Sequence, residues 1–343
     1  MKRWQRVIVY TIVVIVGLLA AAITATVGWR PFIGPNARPL TERRIEPSPA
    51  RLERGAYIVK NVSGCLFCHS DLDPSIEGLP VKEGGAAAGR ALTAEDMPWL
   101  TAPNLTPDQE TGAGTWTDDM LARAIREGIG HDGRTLFPMM PYENFAKMSD
   151  EDLASVITYI RSLPAVRREN PKTAIPFPVN RLINSVPKPI EHAVAAPDLS
   201  TPEKRGEYLV TLASCSDCHT PMDDKGQFVP GMRFAGGNSL KYGDARAPRA
   251  AMNLTPAPSG IPYYNEALFV EAIRTGRVRE RQLSDVMPWG HYRGMTDEDL
   301  KSIFAYLKTL APIDHTVDNT LPSTQCEKCG LQHGGGERNK KSD

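Results

Sequence analysis

Cys65-Leu66-Phe67-Cys68-His69 returns in the second half of the chain as Cys215-Ser216-Asp217-Cys218-His219. Each stretch is a C-x-x-C-H, the attachment pattern of a c-type haem. On a helical turn residues i and i+3 share a face, so two thiols at that spacing can reach both vinyl groups of one porphyrin. The adjacent histidine can then turn its imidazole onto the iron. A lone C-x-x-C would say little, because redox dithiols and zinc sites share the spacing. Two copies, each with its histidine and each at the same place in a longer repeat, are specific. They predict two covalently bound c-type haems, one on Cys65 and Cys68 with His69 as proximal ligand, the other on Cys215 and Cys218 with His219.

The repeat runs well beyond these motifs. Arg54-Gly55-Ala56-Tyr57 reappears as Arg205-Gly206-Glu207-Tyr208, and Asn104-Leu105-Thr106-Pro107 as Asn253-Leu254-Thr255-Pro256. Ala124-Ile125-Arg126 returns at Ala272-Ile273-Arg274, and Met140-Pro141-Tyr142 as Met287-Pro288-Trp289. Each copy closes on Met-Ser/Thr-Asp-Glu-Asp-Leu, at 148–153 and 295–300. A domain of about 115 residues is therefore written twice.

The closing segments carry the clearest helical period: Leu153, Val156, Ile157, Ile160 and Leu163, then Leu300, Ile303, Phe304, Leu307 and Leu310. Ser149 and Thr296 are the expected N-caps, with acidic residues facing the helix dipole, and Pro164 and Pro312 stand at the ends. A middle helix is expected after Thr117 and Asn265, ending near Gly128 and Gly276. An opening helix carries Tyr57 or Tyr208 toward the cysteines. Short helices wrapped on a haem describe a class I cytochrome c domain, and no alternating β pattern competes. The fold class is thus mostly α: an N-terminal transmembrane helix, then two tandem class I cytochrome c domains. The expected boundaries are an anchor or signal at 1–30, a tether at 31–49, domains at 50–164 and 199–312, a Pro-rich linker at 165–198 and a tail at 313–343. The linker holds apolar residues among its prolines, so it should run extended over the domain surfaces. From Gly334 the tail reads as disordered.

Composition agrees. The 40 basic and 40 acidic residues cancel, so no bulk field points to nucleic acid. Only 7% of residues are aromatic, and two porphyrins would supply apolar core that the side chains do not. Haem of this type is attached outside the bacterial cytoplasm, so an export signal is expected. Lys2, Arg3 and Arg6 precede an almost uncharged stretch from Val7 to Trp29, long enough to span a bilayer and oriented by the preceding cations. Cleavage near Ala25 is the competing reading. Either way the remainder would face the periplasm from the inner membrane.

An electron carrier needs both axial positions filled. Among the methionines only Met140/Met287 and Met148/Met295 recur between copies, whereas Met97, Met139, His131 and His291 have no like partner. Met148 and Met295 sit where a hydrophobic staple packs a helix start. Met140 and Met287 each precede proline, which holds them in extended backbone, suited to presentation across a haem face. The expected axial pairs are His69/Met140 and His219/Met287. With both faces bound, neither iron offers a substrate site. The third pair, Cys326 and Cys329, lacks an adjacent histidine, although His333 follows. A surface disulfide, a thiol–histidine metal site and a lost haem motif are all open, with the disulfide favoured because three ligands make a poor closed zinc site. Asp118-Asp119 and Asp150-Glu151-Asp152 read as helix-start charges rather than acid/base pairs.

The run Ala102-Pro103-Asn104-Leu105-Thr106-Pro107-Asp108, with Thr111-Gly112, Trp116, Asp132-Gly133-Arg134 and Pro138-Met139-Met140-Pro141-Tyr142, resembles the cytochrome c subunits of membrane-bound bacterial gluconate, alcohol and sorbitol dehydrogenases. The likeness covers roughly residues 50 to 312. It implies an electron-transfer subunit, not an enzyme in its own right, that takes electrons from a partner dehydrogenase. The acceptor would be quinone, another cytochrome or a terminal oxidase. Members of that group commonly carry three C-x-x-C-H domains, and this chain has two and a short C-x-x-C tail, which leaves direct quinone reduction and the exact partner open. A haem enzyme, such as a dihaem peroxidase or thiosulfate dehydrogenase, is the rival and would need one open iron.

Overall fold

Arg-Gly-x-Tyr, the tetrad that opens each copy, lies on a helix pressed against the closing helix of the same copy. In this computed structural model, which describes residues 2–92, 97–240 and 249–341, the opening helices are Pro49–Tyr57 and Pro202–Leu212. The closing helices are Asp150–Ser162 and Asp297–Thr309. The crossing is close because the tetrad has no side chain at its second position. A Cβ on Gly55 would stand 1.9 Å from the Ser155 carbonyl oxygen, and one on Gly206 would stand 2.0 Å from that of Ser302. Ser149 and Thr296 cap the closing helices as expected, each hydroxyl accepting the N–H three residues on. Ten residues lead from Gly55 to Cys65 and nine from Gly206 to Cys215. The first copy absorbs its extra residue in a π-helical turn at Ile58–Val62.

The middle helices are Asp118–Glu127, capped by Thr117, and Glu266–Thr275, capped by Asn265. Both end on a left-handed glycine, Gly128 and Gly276, each at φ 70°. Gly128 lies against the Tyr142 ring and Gly276 against the Trp289 ring, where an added Cβ would come within 2.6 and 2.4 Å. The chain is mostly helical; among the described residues extended backbone pairs in four two-stranded pieces. At the N-terminus a helix spans Arg3–Ala25, long and apolar enough to cross a membrane, with none of its residues buried.

The chain divides into two compact units that do not follow the sequence copies. One comprises Met1–Arg43, Thr117–Ala146 and Ile175–His192. Within it the segment expected as a plain tether is pinned, because Arg38 donates to both oxygens of Asp119 at 2.8 Å and to Glu127 at 2.8 Å. The Thr41 N–H adds a bond to Asp119 at 2.7 Å. A turn of helix at Val179–Leu182 and a tighter one at Ile183–Ser185 interrupt the Pro-rich stretch, and Asn184 there accepts from the Thr135 hydroxyl at 2.7 Å.

The other unit comprises Arg44–Trp116, Lys147–Ala174 and Ala193–Asp343 and holds both C-x-x-C-H motifs. Here the tyrosines of the tetrads are exchanged between copies. Tyr208 donates to Asp152 at 2.7 Å, alongside the Arg54 fork at 2.7 and 2.9 Å. Tyr57 donates to Asp299, which also takes Arg205 at 2.5 Å. The tail departs from expectation. Ser323–Gln325 pairs antiparallel with Gln332–Gly334, a helical turn follows at Gly336–Arg338, and Asn339 is buried. The Asn339 amide holds Thr316 through both its N–H and C=O, at 2.7 and 2.8 Å. Residues 334–341 therefore fold back rather than remaining unstructured, and residues 342–343 lie outside the described residues.

Candidate haem-attachment sites

Cys65–His69 and Cys215–His219 each form one short helical turn. The residue before each turn is left-handed, Gly64 at φ 65° and Ser214 at φ 54°, which redirects the chain from the opening helix into the motif. The four cysteines are free. Burial pushes the Cys65 and Cys215 thiols up to about 12 and Cys218 up to about 11, so they stay protonated.

The histidines are oriented identically. His69 Nδ1 lies 2.9 Å from the Pro103 carbonyl oxygen, and His219 Nδ1 lies 2.7 Å from that of Met252. A carbonyl only accepts, so Nδ1 carries the proton and Nε2 is left as the lone-pair nitrogen. Burial lowers the pKa of both rings, keeping them neutral.

Those carbonyls precede the Asn-Leu-Thr-Pro motif, and the motif fixes them. Asn104 Oδ1 accepts from the Thr106 N–H and hydroxyl at 2.9 and 2.7 Å, while its amide donates to Val166 at 2.8 Å. Asn253 repeats each bond, to Thr255 at 2.9 and 2.8 Å and to Ile313 at 2.8 Å. Each asparagine thus ties the histidine's carbonyl to the chain leaving the closing helix. Gly89 and Gly236 complete the frame: their N–H groups donate to the His69 and His219 carbonyls at 2.8 and 2.7 Å. Both have positive φ, and an added Cβ would meet the Asn104 or Asn253 nitrogen at 2.7 or 2.6 Å. Sequence reading passed over these glycines, although they stand 15 and 17 positions before the Asn-Leu-Thr-Pro of their copies.

Met140 and Met287 occupy matching turns just ahead of Tyr142–Phe145 and Trp289–Tyr292, both half-buried. Met287 belongs to the same unit as His219, whereas Met140 and His69 fall in different units. Met148 and Met295 are buried, as packing residues would be. His291 has its own task. Its Nε2 accepts the Gly64 N–H at 2.8 Å, while Tyr292 donates to the Ala213 carbonyl at 2.8 Å. Consecutive side chains therefore hold the entries to both motifs. Burial pushes His291 down to about 4, so it remains a neutral acceptor.

A model of the cytochrome c family matches residues 52–164. A dihaem c-type cytochrome of Cereibacter sphaeroides is 30% identical over 261 residues, covering 73% of this chain and 83% of that protein. The chain belongs to the cytochrome c family. The cytochrome c subunit of a quinone-dependent alcohol dehydrogenase from Gluconobacter oxydans is 27% identical over 287 residues, covering 77% of this cytochrome and 55% of that subunit. The cytochrome c subunit of gluconate 2-dehydrogenase from Pantoea cypripedii is 29% identical over 290 residues, covering 78% and 62%. This cytochrome thus spans little more than half the length of such subunits. A cytochrome c domain implies covalently bound haem c.

The residues of the cytochrome fit that group. Each motif offers two free, half-buried thiols on one turn and a neutral imidazole whose Nε2 is available. The buried Trp289 Nε1 has no hydrogen-bond partner among the described residues, a donor that an acidic edge of a cofactor could take. The third cysteine pair is different. The disulfide expected between Cys326 and Cys329 is not formed. Both residues are buried, and ring nitrogens of His315 and His333 lie against their sulfurs. His315 escaped the sequence reading because ten residues separate it from Cys326; an inventory of every Cys and His after the closing helix would have found it.

Proposed function

We propose that this chain is a membrane-anchored, periplasmic dihaem cytochrome c built from two tandem class I domains, at residues 50–164 and 199–312. It would carry electrons from a partner dehydrogenase to quinone, another cytochrome or a terminal oxidase. One observation carries the reading: two free, half-buried thiols and an oriented neutral histidine recur, with the same carbonyl and asparagine support, in both copies. Cys65 and Cys68 would hold one haem through thioethers and Cys215 and Cys218 the other. His69 with Met140 and His219 with Met287 would be the axial pairs. Haem bound in this way supplies a one-electron iron couple. Burial keeps each imidazole neutral, and the Pro103 and Met252 carbonyls fix its tautomer and orientation, which limits rearrangement on a change of charge. The apolar helix Arg3–Ala25 supports an anchor, and the names of the relatives support a dehydrogenase partner.

Potentiometric titration of the full chain tests the assignment. Two haems per chain are expected by pyridine haemochrome. Met140→Ala should lower one midpoint potential and leave the other nearly unchanged, and Met287→Ala should do the converse. A common shift in both, or none, would reject the axial pairs. Isolation from native membranes in mild detergent tests the partner: a co-purifying dehydrogenase whose substrate reduces both haems is the expected result. A lone cytochrome that binds carbon monoxide at one haem would favour the enzyme reading instead.

A further inference from the structure

Beyond the haem motifs, the side chains of His315, Cys326, Cys329 and His333 converge, with one ligand atom from each lying within 4.8 Å of all the others. We propose that these four residues form a closed structural zinc site that locks the tail onto the second copy. The inference is independent of the haem count.

The geometry fits a tetrahedron. Zinc bound to sulfur at ~2.3 Å and nitrogen at ~2.05 Å sets sulfur and nitrogen ~3.6 Å apart. His315 Nε2 lies 3.3 Å from Cys326 Sγ, and His333 Nε2 lies 3.5 Å from Cys329 Sγ. Both histidines are already turned to ligate through Nε2, because His315 Nδ1 contacts the Ala235 carbonyl at 2.8 Å and His333 Nδ1 that of Gly334 at 3.2 Å. The two cysteines sit at the tip of the tail hairpin. There the Cys329 N–H points to Cys326 Sγ at 3.5 Å, and Gly330 turns the chain at φ 78°. An N–H aimed at a sulfur favours a thiolate.

Burial and charge decide between metal and disulfide. All four residues are at most 5% exposed. A disulfide would leave two buried imidazole nitrogens facing sulfurs that carry no proton, a costly arrangement. Binding Zn²⁺ releases two thiol protons, so two thiolates and one dication give a neutral buried centre with every ligand atom used.

The comparison between copies is independent support. In the first copy the Ala88 carbonyl, which corresponds to Ala235, is taken by the Asn170 amide at 2.8 Å. The second copy places His315 there, a residue with a second nitrogen free to ligate. Gly237 makes room: a Cβ on it would come within 2.9 Å of His315 and 3.6 Å of Cys329 Sγ. Ala235 is followed by Gly236, whose N–H holds the His219 carbonyl at 2.7 Å. The proposed centre therefore backs the loop that supports the second haem ligand.

Elemental analysis and zinc-edge X-ray absorption on the purified full chain test this. Equimolar zinc with a mixed sulfur and nitrogen shell is the expected result. His315→Ala should lose most of that zinc and lower the melting temperature without losing haem. Peptide mapping that finds Cys326 linked to Cys329, or free thiols that take up no added zinc, would overturn the site. So would an absorption spectrum with only light-atom ligands, the sign of surface zinc. The wild-type measurements decide the question even if the variant fails to fold.

Discussion

At Gly55 and Gly206 the constraint is steric. Each faces a carbonyl oxygen of its closing helix so closely that a methyl group cannot fit without prising the helices apart. Gly55→Ala or Gly206→Ala should therefore destabilise the chain by ~3 kcal/mol, at the upper end for overpacking of a core, measured as the loss in unfolding free energy by urea titration. Gly64→Ala tests the specificity of the argument. An added Cβ there meets nothing within 4 Å, so only the left-handed backbone is penalised, by ~1 kcal/mol. The Arg-Gly-x-Tyr tetrad was legible in the sequence as a repeat, but its logic was not. The arginine binds the closing helix of its own copy, the glycine allows contact with that helix, and the tyrosine reaches the other copy. That last partner lies more than two hundred residues from Tyr57 in sequence, beyond any local pattern. The Met-Pro motifs and the C-x-x-C-H turns, by contrast, rest on spacing within a few residues, which is why the sequence alone exposes them.

Elements whose ends are chemically marked were equally legible. The closing and middle helices begin at a Ser, Thr or Asn that caps, and they end at a leucine one or two positions ahead of a proline or at left-handed glycine. The tail was misread because its glycines and charges hide a hairpin held by side chains from elsewhere in the sequence. The tether was misread for the same reason: Arg38 is a single residue in an aperiodic stretch, yet it forks onto the middle helix. Burial raises the pKa of Asp119, but its bonds from Arg38 and Thr41 outweigh that and hold it below the usual carboxylate value. A depressed folded pKa contributes stability that is present above the unfolded value near 3.9 and is lost as pH falls through the folded one. Hydrogen exchange along Asp118–Glu127 should therefore accelerate as pH drops below about 4, after correction for the intrinsic rate. Arg38→Ala should produce the same opening at neutral pH, costing ~2 kcal/mol because buried Asp119 then keeps only the Thr41 N–H and the more distant Arg43 at 3.5 Å. Protection unchanged in that variant would show the fork to be incidental.

Across the larger unit the two copies are joined by reciprocal bonds rather than by an apolar face alone. Tyr57 and Tyr208 each reach the aspartate of the other copy and also accept an N–H at the start of that copy's closing helix, both at 3.1 Å. His291 holds the entry to the first attachment motif, so each copy contributes to the frame of the other. Such coupling predicts one cooperative transition, with far-ultraviolet dichroism and the haem band melting together. It also predicts how the transition responds to base. Burial pushes the Tyr57 phenol up to about 12, with Asp299 adding to the shift, and Tyr208 moves in the same direction. A phenol whose folded pKa is raised contributes stability that is complete below the unfolded value near 10. That contribution is lost as pH rises through the folded value. Melting temperature should accordingly fall between pH 10 and about 12, and Tyr57→Phe should flatten that part of the profile. At neutral pH the same variant should lose ~2 kcal/mol, because Asp299 gives up a charge-assisted bond. If the two signals separate in Tyr57→Phe but coincide in the wild type, the tyrosine exchange is what makes the copies unfold as one. If they already separate in the wild type, the copies are independent and the reciprocal bonds are only surface contacts.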